Sequence, residues 1–187
     1  MKKLIVVLFI LILVLSLFFY KKKYEYYIPK PEALVKIELP DSRISLYKDE
    51  KISFNYSNSS VVSVKDNFYS IEYPDYSSSI SFRISPLLDF DLELYNFENS
   101  ISIHEKQGAN INANIIQDTS ENIYGVLCYL VGNNIATSSQ FFVTDSADFF
   151  VSGGLDFECA ISSEIEVQNI IMKQEILKFI QSLRWVD

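Results

Sequence analysis

The stretch YGVLCYLV, residues 124–131, decides the fold of this chain. Successive side chains of a strand point to opposite faces of a sheet, and here both alternate sets are largely apolar. One set comprises Tyr124, Val126, Cys128 and Leu130, and the other comprises Leu127, Tyr129 and Val131. A strand of this kind is buried on both sides, so we expect helices or a second layer to cover each face of its sheet.

Shorter strand patterns separated by turn residues lie on either side of this stretch. Apolar alternation or continuous apolar runs predict strands at residues 34–39, 52–56, 61–64, 68–73, 79–84, 112–117, 137–143 and 149–157. Gly132-Asn133-Asn134 predicts a hairpin turn, and Gly153-Gly154 inside a strand predicts a bulge or sharp bend.

The period changes to that of a helix in two places. Apolar side chains with His104 step by three or four residues through Leu87, Phe90, Leu94, Phe97, Ile101 and His104. Ser85-Pro86 is typical of the start of such a helix, and Gly108 can end it. A second helix is expected from about Ser163, with Trp185 just beyond it. The order of elements predicts an α+β fold, mainly an antiparallel β-sheet covered by two longer helices.

The N-terminus carries a separate signal. An apolar run from Leu4 to Tyr20 lies between Lys2-Lys3 and Lys21-Lys22-Lys23, and as a helix it would extend roughly 26 Å at ~1.5 Å per residue. Its end lacks the small residues of a cleavage site and any cysteine for lipidation. We therefore predict an uncleaved membrane anchor at residues 1–23, whose apolar residues include Leu4, Phe9, Leu15, Phe19 and Tyr20. A cleaved peptide or a different translation start remains the alternative.

A linker is expected at residues 24–33 and a single domain at residues 34–187, and this domain is acidic. The first 23 residues hold five of the 16 basic residues and none of the 24 acidic ones, so the rest carries 11 minus 24, or −13. Such a balance argues against a nucleic-acid partner, whose phosphates require a basic face.

The inventory of chemical motifs is sparse. His104 is the single histidine, no G-x-S-x-G or phosphate-binding loop occurs, and Cys128 and Cys159 are far from it in sequence. We therefore expect that the protein has no enzymatic activity and binds neither a metal ion nor a cofactor. The two cysteines are expected either to pair or to be buried thiols.

An ordered series of residues extends from Tyr24 to the C-terminus and includes Tyr27-Ile-Pro-Lys-Pro31, Phe54-Asn-Tyr56, Ile71-Glu-Tyr-Pro74, His104, Tyr124-Gly125, Val131-Gly132-Asn133, Ser139-Gln140-Phe141, Thr144-Asp145-Ser146, Gly153 to Phe157 and Arg184-Trp185. This series resembles the gliding-motility lipoprotein D (GldD) family of the Bacteroidetes. The resemblance implies a non-enzymatic accessory protein of gliding and of type IX protein secretion, working with other envelope proteins. It places the domain in the periplasm, although Tyr20-Lys21 stands where the family has a lipidated cysteine.

Four residues are candidates for binding a partner protein: Tyr73, Tyr76, His104 and Trp185. The two tyrosines lie in a stretch of aromatic residues and serines around Pro74, which we expect to be an exposed loop. His104 is either a core-edge residue with a satisfied nitrogen or a binding residue. Asp145-Ser146-Ala147 resembles an O-glycosylation acceptor, with Ser146 as the modified residue. The alternative functions are a small-ligand or lipid-binding envelope module, or a carboxylate-dependent hydrolase.

Overall fold

The computed structural model describes Leu39 and residues 43–132 and 135–186. The predicted anchor, the linker, nearly all of the predicted strand at residues 34–39, and Asn133-Asn134 of the predicted hairpin lie outside these residues. Within them, no helix is long and apolar enough to cross a membrane.

Two antiparallel sheets are formed by the described residues. The larger sheet has the strand order β3-β4-β5-β9-β8-β7-β6 and the smaller one the order β1-β2-β10. The strands are β1 (Ile44–Lys48), β2 (Ile52–Ser57), β3 (Val61–Lys65), β4 (Phe68–Tyr73), β5 (Ser78–Pro86), β6 (Asn110–Asp118), β7 (Ile123–Val131), β8 (Thr137–Thr144), β9 (Phe149–Phe157) and β10 (Arg184–Trp185). Helix α1 (Phe90–Lys106) follows β5, helix α2 (Glu166–Ser182) follows β9, and a 3₁₀ turn (Pro74–Tyr76) joins β4 to β5.

Strand β7 is covered on both faces, which confirms the expectation from its sequence. Val126 and Cys128 pack with Phe97 and Ile101 of α1 on one face. Leu127 belongs to the cluster that contains the buried residues of α2 on the other face. The predicted α+β class, with a mainly antiparallel sheet and two helices, is therefore confirmed.

The main core lies on the α2 side of the large sheet. Phe179 of α2 packs against Phe54 of β2 and Phe82 of β5, with ring centroids 5.1 and 4.9 Å apart respectively. Strand β2 and α2 thus cover this face together. The cluster under α1 is smaller, and its members Phe97 and Ile101 each remain 9 % exposed.

The predicted starts of both helices are wrong by a few residues. Ser85 and Pro86 still belong to β5, where they pair with Phe150 and Phe149 of β9. Helix α1 instead begins after Asp89, whose carboxylate accepts a hydrogen bond from the Leu92 amide at 3.1 Å. Helix α2 begins at Glu166 rather than near Ser163.

The predicted bulge at Gly153-Gly154 is also wrong. β9 pairs with β5 in unbroken register through both glycines, and the irregularity lies in β8 between Thr137 and Ser139. A β-carbon on Gly153 would approach the carbonyl oxygen of Ser81 to 2.2 Å. Glycine is therefore required there because the backbone of β5 passes so close.

Candidate functional site

A polar groove runs beside α1 on the large sheet. It has a volume of about 220 Å³ and is lined by Arg83, Glu93, Asn96, Phe97, Ser100, Gln140, Ser152 and Gly153. The sheet contributes residues of β5, β8 and β9, and the helix contributes the side of α1 that faces β5.

The alternation of β5 explains why this face of the sheet is polar. Ile80, Phe82 and Ile84 point toward α2 and are almost fully buried. The residues that alternate with them are Ser79, Ser81, Arg83 and Ser85, which therefore point toward the α1 side. Helix α1 does not cover all of this polar face, and the uncovered part forms the wall of the groove.

Gln140 links α1 to the sheet at the centre of the groove. Its Oε1 accepts a hydrogen bond from Ser100 Oγ at 3.1 Å, and its Nε2 lies 3.3 Å from His104 Nε2. His104 Nδ1 is buried and has no hydrogen-bond partner among the described residues. His104 thus lies at the edge of the core with one nitrogen satisfied.

An ion pair lies at the other end of the groove. Arg83 Nη2 is 3.8 Å from Glu93 Oε2, and Ser85 Oγ donates to Glu93 Oε1 at 3.4 Å. Glu93 is only 17 % exposed, whereas the Arg83 side chain is 56 % exposed. The guanidinium is therefore the accessible charged group of the groove.

Tyr73 and Tyr76 are not at the surface, contrary to the expectation that rested on Pro74 and the neighbouring serines. They are 2 % and 6 % exposed and belong to the core on the α2 side. Burial, and the nearby carboxylate of Glu175, raise the pKa of Tyr73 well above its ordinary value. The turn at Pro74 folds these rings inward, so the expected exposure is wrong, while a role of either tyrosine in binding stays a prediction.

Trp185 is half-buried and lies in β10, opposite Ile52 of β2. Its ring stacks on Phe149 at 5.9 Å, and its indole Nε1 donates to the carbonyl oxygen of Asn122 at 2.9 Å. These contacts hold β10 against the start of β9 and the turn before β7. They give Trp185 a structural role, while a role in binding stays a prediction.

Ser146 is exposed in the turn between β8 and β9. The Asp145 carboxylate accepts hydrogen bonds from the amides of Ala147, Asp148 and Phe149, and Ser146 has a left-handed backbone with φ of 65°. The hydroxyl is thus accessible on an ordered turn, which suits modification. Its glycosylation stays a prediction.

A second concave region lies at the start of α2. It measures about 520 Å³, and its lining includes the apolar Leu130, Ile135 and Ile161 and the polar Glu166, Asn169 and Lys173. Asn169 is buried and accepts a hydrogen bond from Ser138 Oγ. Sequence reasoning missed this cleft because it combines the end of β7, the loop after β9 and a helix.

A third depression, of about 390 Å³, is lined by Glu72, Asp156 and Glu158 at the ends of β4 and β9. Asp156 Oδ1 accepts a hydrogen bond from Thr137 Oγ1 at 2.6 Å, and the side chains of Glu72 and Glu158 are exposed. No group of histidine, cysteine and acidic residues in the described part of the chain could hold a metal ion.

None of the residues that line the groove was predicted as a binding residue, although the sequence carries a signal for them. Ser79, Ser81, Arg83 and Ser85 alternate with apolar residues, which indicates one polar face of the sheet. Glu93, Asn96 and Ser100 form a polar stripe beside the apolar stripe of α1. That the two polar stripes face each other depends on how α1 packs.

The described residues form an α+β domain with grooves on its surface. The chain belongs to the family of gliding motility lipoprotein GldD, whose family model matches residues 24–185. This membership links the protein to gliding motility and to the cell envelope. A comparison with curated proteins found no match.

Proposed function

We propose that the protein is a non-enzymatic accessory protein of gliding motility and of the associated type IX secretion machinery, and that it binds or stabilises another envelope protein. Family membership supports the connection with motility. The connection with secretion rests on the resemblance of the sequence. The groove beside α1 supports binding rather than catalysis, because Ser100 and His104 both contact Gln140 and not each other.

The size and chemistry of the groove carry this proposal. Its volume of about 220 Å³ is below the ~300–1,000 Å³ that is typical of small-molecule pockets. It presents the amide of Gln140, the hydroxyl of Ser152 and the guanidinium of Arg83 on paired strands. Such groups recognise the backbone and polar side chains of a peptide segment, so the groove accepts a loop or extended segment of a protein partner.

The N-terminal segment supplies the location in this proposal. Residues 4–20 hold the protein in the cytoplasmic membrane, and the domain stands in the periplasm. Tethering both molecules to one membrane raises their effective concentration, so a modest affinity in the groove suffices.

A lysine placed in the groove tests the proposal. We expect Ser152→Lys in the full chain to reduce the recovery of gliding or type IX secretion components after cross-linking in intact host cells, and to slow colony spreading. Ser63→Lys is the matched control, because Ser63 is an exposed strand serine on β3, away from the groove. If the Ser152 variant, correctly exported, recovers the same components as the control, the groove is not the binding site.

The cleft at the start of α2 supports a second candidate function, the binding of a small or lipid-like ligand. Its volume of about 520 Å³ lies within the ~300–1,000 Å³ range of ligand pockets, and it combines apolar walls with Lys173 and Asn169. Binding there predicts that delipidated protein melts at a lower temperature than native protein. It also predicts that Ile135→Asp removes this difference, while Ile103→Asp, on the exposed side of α1, leaves it in place.

A further inference from the structure

Strand β6 is an unprotected edge of the large sheet. It is the last strand in the order, and among the described residues only β7 pairs with it, through nine residues in unbroken register. Edge strands are usually protected by lysine, proline, a bulge or short length. β6 has no charged residue and no proline from Asn110 to Gln117. The opposite edge, β3, is only five residues long and ends at Lys65.

Between residues 111 and 115, the exposed side chains of β6 are apolar on one face and amides on the other. Ile115 is 85 % exposed and shares the α1 face with Ala113 and the half-buried Ile111. Asn112 and Asn114 are exposed on the α2 face. No described residue pairs with this edge, so Ile115 leaves apolar surface that a further strand would cover.

Residues 111–115 read Ile-Asn-Ala-Asn-Ile in both directions. In an antiparallel pair of two copies centred on Ala113, Ile111 lies opposite Ile115 of the second copy, and Asn112 lies opposite Asn114. Each pair then joins two isoleucines or two asparagines on the same face, which is the self-complementarity that a twofold interface requires. A register centred on Asn114 instead places Asn112 opposite Ile116 and loses this match.

We propose that β6 pairs with β6 of a second copy of this chain about Ala113, so that two seven-stranded sheets form one continuous sheet. The charge distribution favours this occupant. The chain beyond residue 23 carries −13, yet the seam bears no charge from Asn110 to Gln117, so two acidic molecules meet there without like charges. The inference is independent of the groove beside α1 and of its partner.

Disulfide cross-linking at the twofold axis tests the pairing. In the full chain with Cys128→Ala and Cys159→Ser, we expect Ala113→Cys to give a covalent dimer in host membranes under mild oxidation, because directly opposed strand residues are within disulfide range. Cys128 is replaced because it lies opposite Ala113 on β7 and could form a disulfide with residue 113 within one molecule. Asn110→Cys is the matched exposed control, since two copies of this residue lie about 20 Å apart along the strand and should stay monomeric. Equal cross-linking at both positions, or none at residue 113 in abundant protein, would overturn the proposal.

A charge at the seam gives an independent test. We expect Ile115→Lys to abolish the covalent dimer of the Ala113→Cys chain, because it places lysines beside the apolar residues of the second copy. Leu88→Lys is the control, because it also introduces a lysine, at a residue that is 91 % exposed and lies outside β6. It should leave the dimer intact. Unchanged dimer in the Ile115 variant would contradict the pairing.

Discussion

At the scale of single residues, Asp49 holds the turn between β1 and β2. Its carboxylate accepts hydrogen bonds from Tyr69 Oη at 2.6 Å, from the amides of Lys51 and Ile52, and from Tyr47 Oη at 3.2 Å. Burial by itself raises the pKa of Asp49, but the bonds from Tyr69, the two amides and Tyr47 outweigh burial and lower it. The ionised carboxylate therefore stabilises the fold.

This arrangement predicts a pH-dependent effect of Tyr69→Phe. We expect the free energy of unfolding at pH 7 to fall by about 1–2 kcal/mol, because a hydrogen bond to a charged group is lost. A carboxyl whose pKa is lower in the folded state than in the unfolded state stabilises the fold at pH values above its unfolded pKa of about 3.9. This stabilisation is lost as the pH falls through the folded-state pKa. The difference from wild type should therefore shrink at acidic pH in urea titrations. Tyr47→Phe should lower the free energy of unfolding by less, because the hydrogen bond from Tyr47 to Asp49 is longer. If Tyr69→Phe destabilises the protein equally at pH 7 and pH 2, the charge of Asp49 is not the cause.

At the scale of elements, helix α1 depends on its cap. The Asp89 carboxylate is the side-chain acceptor for the Leu92 amide, so Asp89→Ala should destabilise the protein by about 1 kcal/mol. Asp91→Ala is the control, because Asp91 also lies in the first turn but is not the cap. Thermal unfolding measures both, and faster hydrogen exchange of the Leu92 amide should accompany only the Asp89 change. Equal effects of the two variants would show that charge near the helix end matters and the cap does not.

Helix α2 is held to the sheets mainly by aromatic packing. Phe179 is 1 % exposed and contacts Phe54, Phe82 and Phe141. Phe179→Ala should lower the free energy of unfolding by about 3–5 kcal/mol, because it removes a buried ring and leaves a cavity. Leu177→Ala on the same helix changes a residue that is 38 % exposed and should cost far less in the same denaturant titration. Similar losses would mean that the interface can collapse around the missing ring.

At the scale of the whole molecule, the two core layers differ in size. The layer on the α2 side contains most of the fully buried residues, whereas the layer under α1 is small and partly exposed. We expect α1 to separate from the sheet at lower denaturant than that needed for global unfolding. Cys128 lies in the α1 layer as a buried free thiol, so its reaction with a maleimide reports this opening.

The exposed thiol of Cys159 provides the internal control for this labelling experiment. Cys159 should react at once in the folded protein, and reducing agent should leave the melting temperature unchanged, because both cysteines are free. Burial raises the pKa of the Cys128 thiol and so slows its reaction further. If Cys128 reacts only in step with global unfolding, the two layers unfold as one unit.

Only those features of the site that follow from local sequence patterns could be predicted. The helical stripe placed His104 on the side of α1 that packs on the sheet, and the alternation of β5 carries a polar face. Pro74 and the neighbouring serines predict an exposed loop, whereas the turn directs the rings of Tyr73 and Tyr76 into the core. Gln140 and Ser152 join the groove only through strand pairing, which no local pattern specifies.

The sequence by itself determined the fold class of this protein. Period-two and period-3.6 patterns fix which segments are strands and helices, and the two apolar faces of β7 require a layer on each side, because apolar surface must leave water. Only the tertiary structure decided that β5 pairs with β9, that β2 joins α2 over the main core, and which polar residues meet beside α1. These contacts join residues far apart in the chain, and their free energy comes from packing and hydrogen bonding that exist only once the whole domain is assembled.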